Sequence, residues 1–374
     1  MIKKISKIFL IVLIIFFIGL FITLKLNNLK KIPAVMKGNL SQEQKTVIFK
    51  KLNSLFVLDL PGKKVDNEIK SFIKAYQPGG IIIMGANVKD VNQASNFILD
   101  IKSIYKNLTG NIFRQKPFIT VDQEGGRVRR FKTGIDDVPS ARECALKGRE
   151  YVKEKAVQTS QALLNIGINV NFAPVADVLV HPENRVIGDR SFGNNELIVS
   201  EMVKAYLEGS KSTQIITCAK HFPGHGSVSQ DSHLDLPTDY STENDLLLKP
   251  FKSAIDFDVK MVMIAHILFP KVDSVPSTMS SKIISILRNK LNFNGVIISD
   301  DMNMGAMTKR FNKPEVIITS LKAGMDMFIH VIGSIKKQKN LIDKTFALLL
   351  KDTEALIALE KAFDRVRKLR EIAF

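Results

Sequence analysis

Between Lys220 and His233 the chain reads KHFPGHGSVSQDSH, which brings Lys, three His and an Asp into a segment whose Pro and two Gly forbid a helix. Such groups converge on a loop, the usual setting for an active site. Asp231 and His233 stand two apart in a Ser-rich stretch, so the carboxylate can bond one imidazole nitrogen and leave the other facing substrate. That pairing fixes the tautomer and raises the ring's basicity, making His233 a candidate general acid and base with Asp231 behind it. An isolated DSH would read better as a capped turn with a surface His. Its attachment to KHFPGHG reverses the preference.

Three further segments carry chemistry. In GVIISDDMNM (295–304) an apolar strand ends in Asp300 and Asp301, and either could attack or stabilise a cationic centre while the other caps a helix or holds a cation. Periodicity does not choose between them. In VDQEGGRVRRF (121–131) Asp122 leaves a strand, the chain turns on Gly125 and Gly126, and Arg127, Arg129 and Arg130 follow. An Asp accepting and an Arg donating can bracket the vicinal hydroxyls of a pyranose, although a βα turn with a solvated Arg cluster would look the same. VIGDRSFG (186–193) adds Arg190. His221, His225, Asp231, His233 and His266 are all metal-ligand types, but neither HExxH nor a paired CxxC occurs, and Lys220 beside His221 opposes a divalent cation. No metal and no cofactor are expected; Lys220 fits a sugar hydroxyl better.

These residues need a frame. From about Ser54 short β-branched runs alternate with amphipathic stretches: strands are expected at 55–60, 80–84, 117–121, 170–173, 215–219, 260–265, 296–299 and 325–329. Helical spacing marks 65–76, 91–105, 141–165, 197–210, 280–291 and 314–323. Strands apolar on both faces imply a parallel sheet, and this repetition an α/β fold, a (β/α)8 TIM-type barrel. Active sites of such barrels lie at the carboxyl ends of the strands. Asp122 follows the third run, Lys220 and His221 the fifth, His266 the sixth, Asp300 and Asp301 the seventh.

The 374 residues, 45% hydrophobic and 24% charged, suit one large barrel domain over 45–374. Residues 8–24, IFLIVLIIFFIGLFITL, are uncharged and nearly all apolar, with Lys3, Lys4 and Lys7 ahead. They read as an N-terminal transmembrane helix and uncleaved anchor, with 1–7 a short cytoplasmic lead and 25–44 a basic tether; a cleaved signal peptide is the main rival. With so little chain before the anchor, the catalytic domain is expected in the periplasm or outside the cell. Cys144 and Cys218 make no disulfide framework. The net charge of +17 fits attraction to anionic lipids or wall polymers as well as a Lys-rich compositional bias, and no nucleic-acid motif accompanies it. A monomer is expected.

Together DQEGGRVRR, GDRSF, KHFPGHG with DSH, and SDDMNM, in this order, make the chain from about Leu52 onward resemble glycoside hydrolase family 3, specifically its single-domain β-N-acetylhexosaminidases that trim GlcNAc from peptidoglycan fragments. The resemblance implies Asp300 as nucleophile, His233 as acid/base and Asp231 as its dyad partner. It further implies Asp122, Arg130, Arg190, Lys220 and His221 as holders of the non-reducing GlcNAc, with Asp301 in support. A two-step retaining mechanism follows from that assignment. Relatives for glucosides usually carry their acid/base on a second domain, so the DSH segment favours N-acetylglucosaminides. A β-glucosidase of the same family and a non-catalytic, membrane-tethered wall-binding protein are the alternatives. The better-known cytoplasmic members lack an anchor, and SDDMNM stands where SDDLSM is more familiar.

Overall fold

The computed structural model describes residues 40–108, 116–232 and 234–373. Eight parallel strands close into a barrel in strict sequence order: β1 (Phe56–Leu58), β2 (Gly80–Ile83), β3 (Phe118–Val121), β4 (Val170–Asn171), β5 (Ile216–Phe222), β6 (Met261–Ile264), β7 (Val296–Asp301) and β8 (Met327–His330). Closure runs from β8 back to β1, where Phe56 is in register with Phe328 and Leu58 with His330. The (β/α)8 expectation therefore holds. The barrel unit begins at Phe49.

Each expected strand is present because its Ile, Val, Phe and Met side chains are removed from water on both faces of the sheet. Helices α1 (Gln42–Asn53), α2 (Asn67–Tyr76), α3 (Val91–Lys106), α4 (Ala141–Leu146), α5 (Arg149–Ile166), α6 (Glu196–Lys211), α7 (Lys249–Asp256), α8 (Ser281–Ser285), α9 (Gly305–Thr308), α10 (Lys313–Ala323), α11 (Ile335–Leu349) and α12 (Thr353–Ala373) complete the fold. Side-chain caps set several starts: Asp66 accepts from the Ile69 amide, Asp90 from Gln93 and Asn195 from Leu197 and Ile198. The single helix expected over 141–165 is two, because Gly148 adopts φ 97° between α4 and α5. Likewise, the 280–291 helix is α8 followed by a π turn at Ile286–Lys290.

Arg370, on α12, shuts the amino-terminal end of the barrel. Its Nη2 donates to the carbonyls of Ser54 and Gly79 at 3.1 and 2.9 Å, and its guanidinium lies 4.8 Å from the Phe118 ring centre. A Cβ on Gly79 would sit 1.8 Å from the Ser54 oxygen, so only glycine fits this approach. The opposite mouth carries the polar residues. The expected anchor (8–24), most of the tether and His233 lie outside the described residues. Among the described residues no helix is long and apolar enough to cross a membrane.

Candidate active site

At the end of β3 the chain turns sharply through Gly125 (φ 108°) and Gly126 (φ 51°) and comes back along itself. Gln123 secures this return: its Oε1 accepts from the Arg130 and Phe131 amides, while its Nε2 donates to the Phe131 carbonyl. Asn171 on β4 pairs with both backbone groups of Gln123. Asp122 and Arg130 thereby face one pocket, with Arg130 Nη2 3.0 Å from Asp122 Oδ2. Arg129 instead pairs with Asp137. Arg127 donates to Asp189 and to the carbonyls of Arg185, Val186 and Ile187, which fixes the loop that presents Arg190.

Strand β5 continues through Lys220 and His221 to Phe222, three residues past the expected end, and its register against β6 shifts between Ala219 and Phe222. The irregularity interrupts strict alternation, and both side chains reach the pocket. The Lys220–His221 peptide is cis. Lys220 is fully buried, with Nζ 2.8 Å from Asp122 Oδ1 and 2.6 Å from Glu124 Oε1. Glu124 in turn accepts a two-pronged bond from Arg190, 2.8 Å at each oxygen. Arg190 Nη2 lies 3.3 Å from His221 Nε2, and His221 Nδ1 lies 2.7 Å from Asp177 Oδ2. A continuous network thus runs Arg130, Asp122, Lys220, Glu124, Arg190, His221, Asp177.

Burial by itself would raise the carboxyl pKa values in this network. For Asp122 the charges of Lys220 and Arg130 overcome that, and for Glu124 those of Arg190 and Lys220, so both stay ionised below the usual carboxylate range. Lys220, which burial would neutralise, is held above its ordinary value by Asp122 and Glu124.

The two Asp residues at the end of β7 diverge. Asp300 faces the pocket; burial works against its charge, but the His221 and His266 imidazoles, the Asp301 amide and Lys220 keep it below the ordinary value. Asp301 Oδ1 accepts from the Asn303 and Val331 amides, 2.9 Å each, and burial lifts its pKa to about 7. Neighbouring carboxyls with values driven apart differ in what they can do: Asp300 is the ionised group facing the cavity, Asp301 a brace between β7 and β8. His266 is not a pocket residue; its Nδ1 contacts Thr278 Oγ1 at 2.6 Å and its Nε2 the Asp301 carbonyl at 3.2 Å.

Asp231 lines the same cavity, of about 490 Å³, as Asp122, Arg130, Arg190, Lys220, His221 and Asp300. These seven expected residues therefore line one cavity, whereas His266 and Asp301 do not. Sequence reading passed over Glu124 and Asp177. Glu124 lies in the DQEGG turn, where an acid two residues beyond Asp122 is its signal; Asp177 follows β4 by a few residues, at the carboxyl end that the barrel rule singles out. Among the described residues no group of three or more His, Cys, Asp and Glu is arranged to hold a metal ion.

A closed parallel barrel whose carboxyl mouth gathers ionised carboxylates, guanidiniums and a buried Lys around one pocket is the framework of a barrel enzyme. Residues 39–369 match the family described as glycosyl hydrolase family 3 N terminal domain. A beta-hexosaminidase of Thioalkalivibrio sulfidiphilus (strain HL-EbGR7) is 32% identical over 283 residues, 73% of this chain and 79% of that protein. One from Haemophilus influenzae (strain PittEE) is 33% identical over 307 residues, covering 77% and 85%. Among solved structures, a glycoside hydrolase family 3 β-N-acetylglucosaminidase from Paenibacillus sp. str. FPU-7 superposes with TM-score 0.78 at 28% identity, covering 89% of this chain and 63% of that one. The chain belongs to glycoside hydrolase family 3 and is a glycoside hydrolase that groups with the β-hexosaminidases.

Proposed function

We propose that the protein hydrolyses terminal, non-reducing β-linked N-acetylglucosamine from peptidoglycan fragments such as GlcNAc-MurNAc or GlcNAc-anhydroMurNAc, with retention at the anomeric carbon. The observation that carries this reading is an ionised Asp300 facing the same pocket as the Asp122, Lys220, Arg130 cluster and Asp231. Asp300 attacks the anomeric carbon as the bond to the leaving oxygen breaks, and His233, oriented by Asp231, supplies the proton. Water then adds to the glycosyl-enzyme, giving its proton to His233 and releasing Asp300. Asp122, Arg130, Arg190, Lys220 and His221 hold the sugar's hydroxyls and acetamido group. Paired donors and acceptors of this kind reject an analogue that leaves them unmatched.

The direct test incubates the full chain with purified sacculus fragments and identifies the released sugar by mass. GlcNAc release supports the reading; glucose release from glucosides in preference, or binding without cleavage, replaces it with a β-glucosidase or a wall-binding protein. The acid/base assignment makes its own prediction. His233→Ala should lower kcat/KM for phenyl β-N-acetylglucosaminide by about 10²- to 10⁴-fold while hardly affecting the 2,4-dinitrophenyl glycoside, whose leaving group needs no proton. Equal losses on both substrates would remove His233 from that role. The same reading has residues 8–24 anchor the enzyme, as a monomer, with its catalytic domain on the periplasmic or outer face. Protease accessibility in intact cells tests this: protection of the domain places it in the cytoplasm.

A further inference from the structure

We propose that His225 is a positioning residue whose ring, through the Ser232 hydroxyl, sets the proton-transfer loop in place; the proposal rests on the reading of His233 as acid/base. Ser232 is the residue between Asp231 and His233. It is buried, and its Oγ lies 2.9 Å from His225 Nε2. Its carbonyl accepts at 3.1 Å from the amide of Ala306, in α9, just after the β7 strand that bears Asp300. The dyad segment is therefore tied on one side to the sugar-holding strand and on the other to the nucleophile's loop.

The His225 end of this tie is itself fixed. Asp177, completely buried, accepts the His225 amide on Oδ1 at 2.6 Å and the His221 ring on Oδ2 at 2.7 Å. Asn184 Nδ2 donates to the carbonyls of His225 and Val228 at 2.7 and 2.6 Å. The following Gly226 admits no side chain, since a Cβ there would fall 1.9 Å from the Val178 oxygen. The His225 ring thus leaves a rigid base and reaches the segment that carries Asp231.

Burial above all lowers the His225 value to about 4, so its ring is neutral near pH 7. Its Nδ1 is buried with no hydrogen-bond partner among the described residues, so the Ser232 bond is the ring's one polar contact. An imidazole kept in a buried polar setting for one bond carries a cost that an apolar side chain would avoid. Positioning is what that one bond can supply. A small displacement of the acid relative to the leaving oxygen can cost about a hundredfold in rate.

The test measures kcat/KM of the full chain on phenyl and 2,4-dinitrophenyl β-N-acetylglucosaminides for His225→Ala, Ser232→Ala, their double variant and His233→Ala. Since kcat/KM covers the steps through bond cleavage, only the substrate that needs protonation should respond. We expect each single variant to lose about 10- to 100-fold on the phenyl glycoside, less than about threefold on the dinitrophenyl one, and the double variant no more than the worse single. Equal losses on both substrates, no loss, or additive losses would overturn the proposal. Ser232→Ala removes a single hydroxyl and keeps the test valid should His225→Ala fold poorly. If His233→Ala shows the leaving-group split and the other variants do not, positioning alone fails; if His233→Ala shows none, the acid/base reading falls and takes the proposal with it.

Discussion

Asp300→Ala will reduce turnover of an aryl β-N-acetylglucosaminide by about 10⁴-fold or more, the scale of losing a covalent nucleophile. Folding should be nearly untouched, because the Asp300 carboxylate accepts the Asp301 amide at 2.7 Å and otherwise faces the cavity. Few partners are stranded when it goes, and a buried charge is removed. Azide added to the variant should restore cleavage of the 2,4-dinitrophenyl glycoside and give the α-azide, the anomer opposite to the wild-type product. Asp301→Ala should behave differently: it strands the Asn303 and Val331 amides and should lower the thermal midpoint. Activity of Asp300→Ala within about tenfold of wild type would exclude a nucleophilic role.

Much of this site could be read from the chain because barrels impose a simple rule. Strand runs such as GVIIS and PFITV are β-branched or aromatic and bounded by polar residues, so their carboxyl ends, and with them Asp122 and Asp300, were legible. Lys220 and His221 were legible as residues just past the fifth strand; the register shift after Ala219, which the local sequence does not reveal, carries β5 through them and brings both to the pocket. Asp177 and the loop from Val186 to Arg190 follow a two-residue β4 in a long connection without periodicity. Their place depends on distant partners, Arg127 and His221, which no local pattern announces.

Asp300 and Asp301 show why identity of type does not fix role. The residues are adjacent, yet one is kept ionised by facing imidazoles and a Lys while the other is raised to about 7 by burial. The difference arises from their surroundings: Asp300 faces the cavity, whereas the Asp301 carboxylate turns to the Asn303 and Val331 amides. Sequence position placed both at the barrel mouth, but their protonation belongs to the surroundings.

Lys220→Met will be the most destabilising single change in the pocket, by about 3–5 kcal/mol at neutral pH, with a large rise in KM. The Met side chain fills the same space, so the effect isolates the charge. Removing it leaves Asp122 and Glu124 facing each other with one guanidinium apiece, Arg130 and Arg190. In the wild type both carboxyls are held below their ordinary values, so the stability they contribute is present above about pH 4 and is lost only as pH falls through the depressed range. Without Lys220 burial pushes both upward, and the variant is penalised most where they should be ionised. The gap in thermal midpoint between wild type and variant should therefore be widest near pH 7 and narrow on acidification toward pH 4. At the alkaline end the wild type should weaken as Lys220 itself titrates above its ordinary value, a limb that the variant lacks. Midpoints measured by scanning calorimetry across this range decide the matter: a gap that stays constant with pH would mean that Lys220 acts through its packing alone.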